Sequence, residues 1–283
     1  MSEDRPLPAT WEEGARERVR SVWSGPHKGP WCHGLWVSAR ERFDTVPLPA
    51  DFSMTVERLD GVWRRLAMHP GEGRAVVVVP GLYARLTERL FVNVAARMAT
   101  LGRPVLLLED RFARDTVATA GRPEREPEAL GAQLGALCEK LGDPPDVLAL
   151  SAGLVSAWTL PPSLARRIVG YSGIRSPAAS AEEMRRRRWV YRHFAAAHRE
   201  AALEMNLPFD RLLEHLSTLP PLAAPDDDWL LVHAEDDPLA PISTLDSLDP
   251  ARVLRLTDGG HLGFGVTCGV DIYVAPFRGA THD

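Results

Sequence analysis

Cysteine is scarce in this chain. There are three in 283 residues, at Cys32, Cys138 and Cys268, widely spaced and odd in number. That excludes a disulfide framework and points to a reducing compartment. A basic excess is missing too. Lys and Arg number 33 against 38 Asp and Glu, a net charge of −5. Nucleic-acid binders draw much of their affinity from neutralising phosphates, so nucleic acid is not an expected partner. No run reaches the ~20 apolar residues that span a bilayer, so no stable membrane span is expected. The first ten residues are polar and proline-containing, unlike the charged-then-apolar layout of a secretory signal. Together these absences lead to the expectation of a cytoplasmic protein. A metal site is not expected either: His27, Cys32 and His33 lie close in sequence, but no second cysteine pair completes a zinc pattern.

What is present is a rhythm of buried strands and helices. With 45% hydrophobic residues, the chain has ample material for one core. Residues 11–23 read as an amphipathic helix, with Trp11, Ala15, Val19 and Val22 near one face. A loop rich in Gly, Pro and Trp follows at 24–36. Residues 58–68 read as two strands around a turn at Asp60-Gly61. The run 75–79 is five apolar residues, four of them valine, which suits a strand buried on both faces of a parallel sheet. Further strands are expected at 105–108, 147–150, 167–171, 230–234 and 252–256. Helices are expected across Leu86, Leu90, Val94, Ala95 and Met98, and over 128–141 and 152–160. Strands alternating with helices at this spacing imply βαβ units and a doubly wound, mostly parallel α/β sheet. The alternation breaks at 177–225, which is helical in pattern and strand-free. We expect residues 1–57 to form an N-terminal helix and loop segment, and 58–283 one domain carrying the insertion 177–225 as a helical cap. No internal repeat or long low-complexity segment is evident.

In an open α/β sheet, ligands bind beyond the carboxyl ends of the strands. The residues there form a pattern. After strand 147–150 comes Ser151, within Ala149-Leu150-Ser151-Ala152-Gly153. This is a nucleophile-elbow pattern with Ala in place of its first Gly. A sharp strand-to-helix turn needs small residues two before and two after the serine. An ordinary helix cap would also explain a serine here. After strand 230–234 comes Glu235-Asp236-Asp237-Pro238, which offers Asp237 as a triad acid, with Asp236 the alternative; Asp-Pro is also a common turn former. After strand 252–256 comes Gly259-Gly260-His261-Leu262-Gly263-Phe264, which places His261 on a glycine-flanked loop. Of the other eight histidines, only His233 lies at a core strand, inside it. After strand 75–79 comes Pro80-Gly81-Leu82-Tyr83, where the N–H of Leu82, paired with that of Ala152, would form an oxyanion hole. The order Ser, Asp, His is the order found in α/β-hydrolases.

The acid and histidine loops resemble those of YheT-type esterases of the α/β-hydrolase superfamily. That group carries an alanine-x-Asp-Asp-Pro acid loop and a Gly-Gly-His-x-Gly-Phe histidine loop. The superfamily resemblance covers about 58–273. It implies Ser151 as nucleophile, Asp237 as acid and His261 as base, acting on a small-molecule acyl ester without metal or cofactor. The chain departs from the group at Pro80-Gly81, where His-Gly is usual, and at Ala149. The expected activity is hydrolysis of an ester or thioester through an acyl-enzyme. The alternatives are an acyltransferase or biosynthetic tailoring enzyme using the same triad, and a non-catalytic binding protein that keeps the fold.

Secondary features read as structural. The four arginines 185–188 point in different directions on a helix, with Glu182 and Glu183 nearby to pair with them, and are expected to be a solvated face rather than an anion site. Val190, Phe194, Ala197 and Ala201 at helical spacing are expected to pack the cap on the body. Glu109-Asp110-Arg111 is expected to begin a loop after strand 105–108, with Asp110 and Arg111 pairing structurally. Substrate identity and oligomeric state have no readable motif.

Overall fold

The computed structural model describes residues 10–23, 45–81, 84–112, 128–188, 191, 192, 195, 199, 208–226, 228–257, 259–262 and 269–279. Eight strands form one sheet: β1 (Ser53–Leu59), β2 (Val62–His69), β3 (Val76–Val79), β4 (Val105–Phe112), β5 (Asp146–Leu150), β6 (Arg167–Tyr171), β7 (Asp228–Ala234) and β8 (Val253–Leu256). Their order is β1-β2-β4-β3-β5-β6-β7-β8. β1 and β2 pair antiparallel, β2 runs antiparallel to β4, and every later pairing is parallel. The helices are α1 (Trp11–Val22), α2 (Arg89–Ala99), α3 (Glu128–Leu141), α4 (Gly153–Trp158), α5 (Pro177–Arg186), α6 (Phe209–Leu216) and α7 (Asp271–Val274).

The central strands are apolar along most of their length because both faces of the sheet are covered. Successive side chains on a strand point to opposite faces. Val76 and Val78 of β3, Leu148 and Leu150 of β5, and Leu230, Val232 and Ala234 of β7 enter one core with α1, α2 and α7. Val77 and Val79, Val147 and Ala149, and Trp229 and Leu231 enter a second core with α3 and α4. Had only one face been buried, polar residues would alternate with these. α1 begins at Thr10, whose hydroxyl accepts from the Glu13 N–H at 3.2 Å, satisfying one of the orphan donors of the first turn. Of its expected apolar face, Ala15 and Val19 are buried, and Trp11 and Val22 pack beside them in the first core.

The largest differences from the sequence reading lie at three boundaries. The hairpin is longer, starting at Ser53 and ending at His69, because β1 and β2 keep pairing well beyond the turn. Asp60 (φ 45°) and Gly61 (φ 76°) make that turn, the two-residue left-handed form that matches strand twist. β4 does not stop at Leu108 but runs to Phe112, since β2 continues alongside it through the Arg64–Phe112 pair. Glu109-Asp110-Arg111 is therefore strand rather than loop. α2 begins at Arg89, and the residues just before it form turns. Among the described residues, no strand occurs in 177–225, and no helix is long and apolar enough to cross a membrane. The loop 24–36, with His27, Cys32 and His33, and the stripe Val190, Phe194, Ala197 and Ala201 lie outside the described residues, as does Cys268.

Candidate active site

The parallel strands end along one edge, and the three residues singled out by sequence come together there. Ser151 follows β5 directly and opens the turn into α4. Its φ of 55° lies in the left-handed region, which costs a non-glycine residue of order 1–3 kcal/mol and persists only where the surroundings enforce it. The enforcement is visible. The Ser151 N–H donates to the Tyr171 carbonyl at 2.9 Å, and its carbonyl accepts from Leu154 and Ile174 at 3.1 and 3.3 Å. α4 crosses so close to β3 that a Cβ on Gly153 would lie 2.4 Å from the Val79 carbonyl oxygen and 2.7 Å from that of Pro80. The elbow motif needs a glycine at this position because the backbone of the neighbouring strand occupies the space. Ala149, the other small position, is fully buried in the second core.

Ser151 Oγ donates to His261 Nε2 at 2.7 Å. On the other side of the ring, His261 Nδ1–H donates to the Asp237 carboxylate, 3.1 Å from Oδ1 and 3.0 Å from Oδ2. Ser151, His261 and Asp237 are 4%, 2% and 6% exposed respectively, so the chain of hydrogen bonds is screened from water along its length. Asp237 is further held by the Leu239 and Ala240 N–H groups, which donate to Oδ1 at 2.8 and 3.0 Å. Burial pushes the Asp237 carboxyl upward, but the opposing attraction and hydrogen bond of His261, with smaller help from His233, outweigh it. Its pKa is lowered overall, and the group is a carboxylate at neutral pH.

Asp236, the alternative acid, does not take the imidazole. Its Oδ1 accepts instead from the Gly260 N–H at 2.8 Å. His233 is a residue whose place sequence reasoning missed. It is fully buried, its Nε2 lies 2.7 Å from the Ala240 carbonyl, and it stands 3.7 Å from Asp237 Oδ2. Its Nδ1 is buried and has no partner, so the ring is neutral with the proton on Nε2 donated to Ala240. Burial is the main cause that lowers its pKa. A histidine inside a strand usually reads as core, and only its distance of four residues from the acid hinted at this role.

Of the two oxyanion donors expected, Leu82 lies outside the described residues. Ala152 is the N-cap of α4 and partly exposed. Among the described residues its N–H has no acceptor. The arginines 185–187 are engaged: Arg186 and Arg187 pair with Glu183, and Arg185 Nη1 donates to Ser217 Oγ at 2.6 Å. That fits the solvated-face expectation. α5 and α6 join through Ala181, Met184, Leu212, Leu213 and Leu216, and Leu239 of the acid loop belongs to the same cluster.

No family model matches the chain, and no curated protein matches it in sequence. Solved structures do match. XC6422 from Xanthomonas campestris, described as an a/b serine hydrolase without lid, is 16% identical, with a TM-score of 0.51 over 83% of this chain and 96% of its own. A thermophilic esterase from Thermogutta terrifontis is 15% identical, with a TM-score of 0.51 over 82% of this chain and 100% of its own. An epoxide hydrolase from Vigna radiata is 14% identical, with a TM-score of 0.55 over 81% of this chain and 97% of its own. The sheet order, the flanking helices and these neighbours define the α/β-hydrolase fold.

Proposed function

We propose that this protein is a serine hydrolase that cleaves a carboxylic ester or thioester through an acyl-enzyme. The observation that carries the reading is the unbroken chain Ser151 Oγ, His261 Nε2, His261 Nδ1, Asp237. In the proposed mechanism, His261 takes the Ser151 proton as Oγ attacks the acyl carbonyl. Asp237 holds the imidazole in the Nδ1–H tautomer and stabilises its cationic form. The carbonyl oxygen becomes an oxyanion, with the N–H groups of Ala152 and Leu82 proposed as its two donors. Each such donor contributes roughly 3–4 kcal/mol in the transition state. His261 then protonates the leaving group, and the acyl-enzyme forms. Water, deprotonated by His261, releases the acid. No step needs a metal or cofactor.

The helical stretch 177–225 is proposed as the cap over this edge, and the hydrolase domain, expected from sequence at 58–283, is proposed to take in all of β1 from Ser53. The acid and histidine loops favour the YheT-type esterases as the subgroup. The cysteine usage, with Cys138 buried and unpaired, favours the cytoplasm. Ser151→Ala is expected to lower kcat on p-nitrophenyl acetate by roughly 10⁴-fold or more and to abolish labelling by a fluorophosphonate. Full activity in a folded Ser151→Ala protein would refute the proposal.

A further inference from the structure

His261 stands on a loop with little stiffness of its own. Gly259 and Gly260 precede it at φ 143° and 53°, and Leu262 follows at φ 62°. Free glycines of this kind visit many conformations. Yet Nε2 must hold its place beside Ser151. The backbone on both sides of the histidine is tied to other elements. Before it, the Gly260 N–H donates to Asp236 Oδ1 at 2.8 Å. After it, the Leu262 N–H donates to Ser172 Oγ at 3.2 Å, and that hydroxyl points back at the Gly260 carbonyl at 3.5 Å. The Leu262 carbonyl accepts from Tyr273 Oη at 2.9 Å. Ser172 is fully buried and follows β6 in the left-handed region at φ 48°, pinned by its own N–H to the Val232 carbonyl at 3.0 Å. It is the second strained serine at this edge, one strand over from Ser151.

We infer that Asp236 and Ser172 are positioning residues that bracket His261, fixing the backbone on either side so that its imidazole meets the Ser151 hydroxyl. The inference rests on the proposed role of Ser151. The Asp236-Asp237 pair then divides the work: one carboxylate orients the ring, and its neighbour anchors the chain that carries the ring. In its strained conformation Ser172 presents its hydroxyl to the Leu262 N–H.

The test measures kcat and KM on p-nitrophenyl acetate, and fluorophosphonate labelling rates with the modified residue located by mass spectrometry. It compares wild type with Asp236→Ala, Asp236→Asn, Ser172→Ala and Ser172→Gly. Asp236→Ala and Ser172→Ala are expected to lower kcat and the labelling rate by roughly 10–100-fold with KM little changed, the scale of a catalytic group displaced by about an ångström. Asp236→Asn keeps an oxygen acceptor and is expected to recover most of the loss. Ser172→Gly relieves the strained φ but removes the hydroxyl, so it should stay as slow as Ser172→Ala. Wild-type rates in both alanine variants, an Asn variant as slow as Ala, or recovery in Ser172→Gly would each overturn the inference. If Asp236→Ala does not fold, Ser172→Gly carries the test, since it adds no strain. Wild-type protein that is not labelled at Ser151 would overturn the serine-hydrolase reading instead.

Discussion

Ser151 and His261 lie 2.7 Å apart, but the chain fixes them in different ways. Ser151 is placed by the tight strand-to-helix turn of its own sequence, closed against the backbones of the neighbouring strands. β5, the turn and α4 leave it one conformation, and Gly153 is wedged against the carbonyls of Val79 and Pro80. His261 is placed by residues remote in sequence: Asp237 at its ring, Asp236 and Ser172 at its backbone, Tyr273 beyond. The serine side is held by close backbone packing and backbone hydrogen bonds, and the histidine side by hydrogen bonds to side chains. Steric placement fails through added volume, and hydrogen-bonded placement through a lost acceptor or a misplaced proton.

The sharpest way to break the histidine side is Asp237→Asn. The amide oxygen can still accept from Leu239 and Ala240, so the loop keeps its shape. The tautomer of His261 is no longer enforced, and kcat is expected to fall on the order of 10⁴-fold. Activity within tenfold of wild type, measured on p-nitrophenyl acetate, would remove Asp237 from the mechanism. The matching break on the serine side is Gly153→Ala. Its Cβ has no room against backbone atoms, so a loss of about 1–3 kcal/mol in urea unfolding is expected, with slowed labelling of Ser151. A variant as stable and as reactive as wild type would show that the elbow can yield.

A subtler probe is pH. His233 is neutral and buried in the folded chain, whereas in the unfolded chain it takes a proton below its ordinary value of 6.5. The unfolded state therefore binds more protons in that window. Stability should be full above about pH 6.5 and decline as pH falls towards the lowered folded value. His233→Gln should flatten that part of the profile, read from urea midpoints between pH 8 and pH 4.5. An unchanged profile would count against the neutral Nε2–H assignment. The smallest effect is expected at Arg185→Ala. The bond to Ser217 is on the surface, and the melting temperature and kcat should not change measurably. A large loss of activity there would move Arg185 from a solvated face to substrate contact.

This division explains what could be read from sequence. The elbow was legible because sterics act locally: small residues two before and two after Ser151 are a pattern in five letters. The buried strands were legible because covering both sheet faces demands unbroken apolar runs such as 76–79. Asp237 and His261 were legible through their order and their places after strands. The bracket was not. Ser172 also follows a strand, and the rule that singled out Ser151 would have reached it, but nothing in Tyr171-Ser172-Gly173 states a partner ninety residues away. The length of β4 was missed for a related reason. Glu109-Asp110-Arg111 is polar, and only the run of β2 alongside keeps it extended.

Leu239 belongs to two neighbourhoods. Its side chain lies in the apolar cluster of α5 and α6, and its N–H holds Asp237. Whatever shifts the α5–α6 cluster therefore has a one-residue path to the Asp237 carboxylate. Binding beside α5 and α6 and binding at Ser151 can be coupled through that residue, and coupling between two binding free energies runs equally in both directions. A ligand held at Ser151 would then change affinity beside α5 and α6 by the same factor by which a ligand there changes affinity at Ser151.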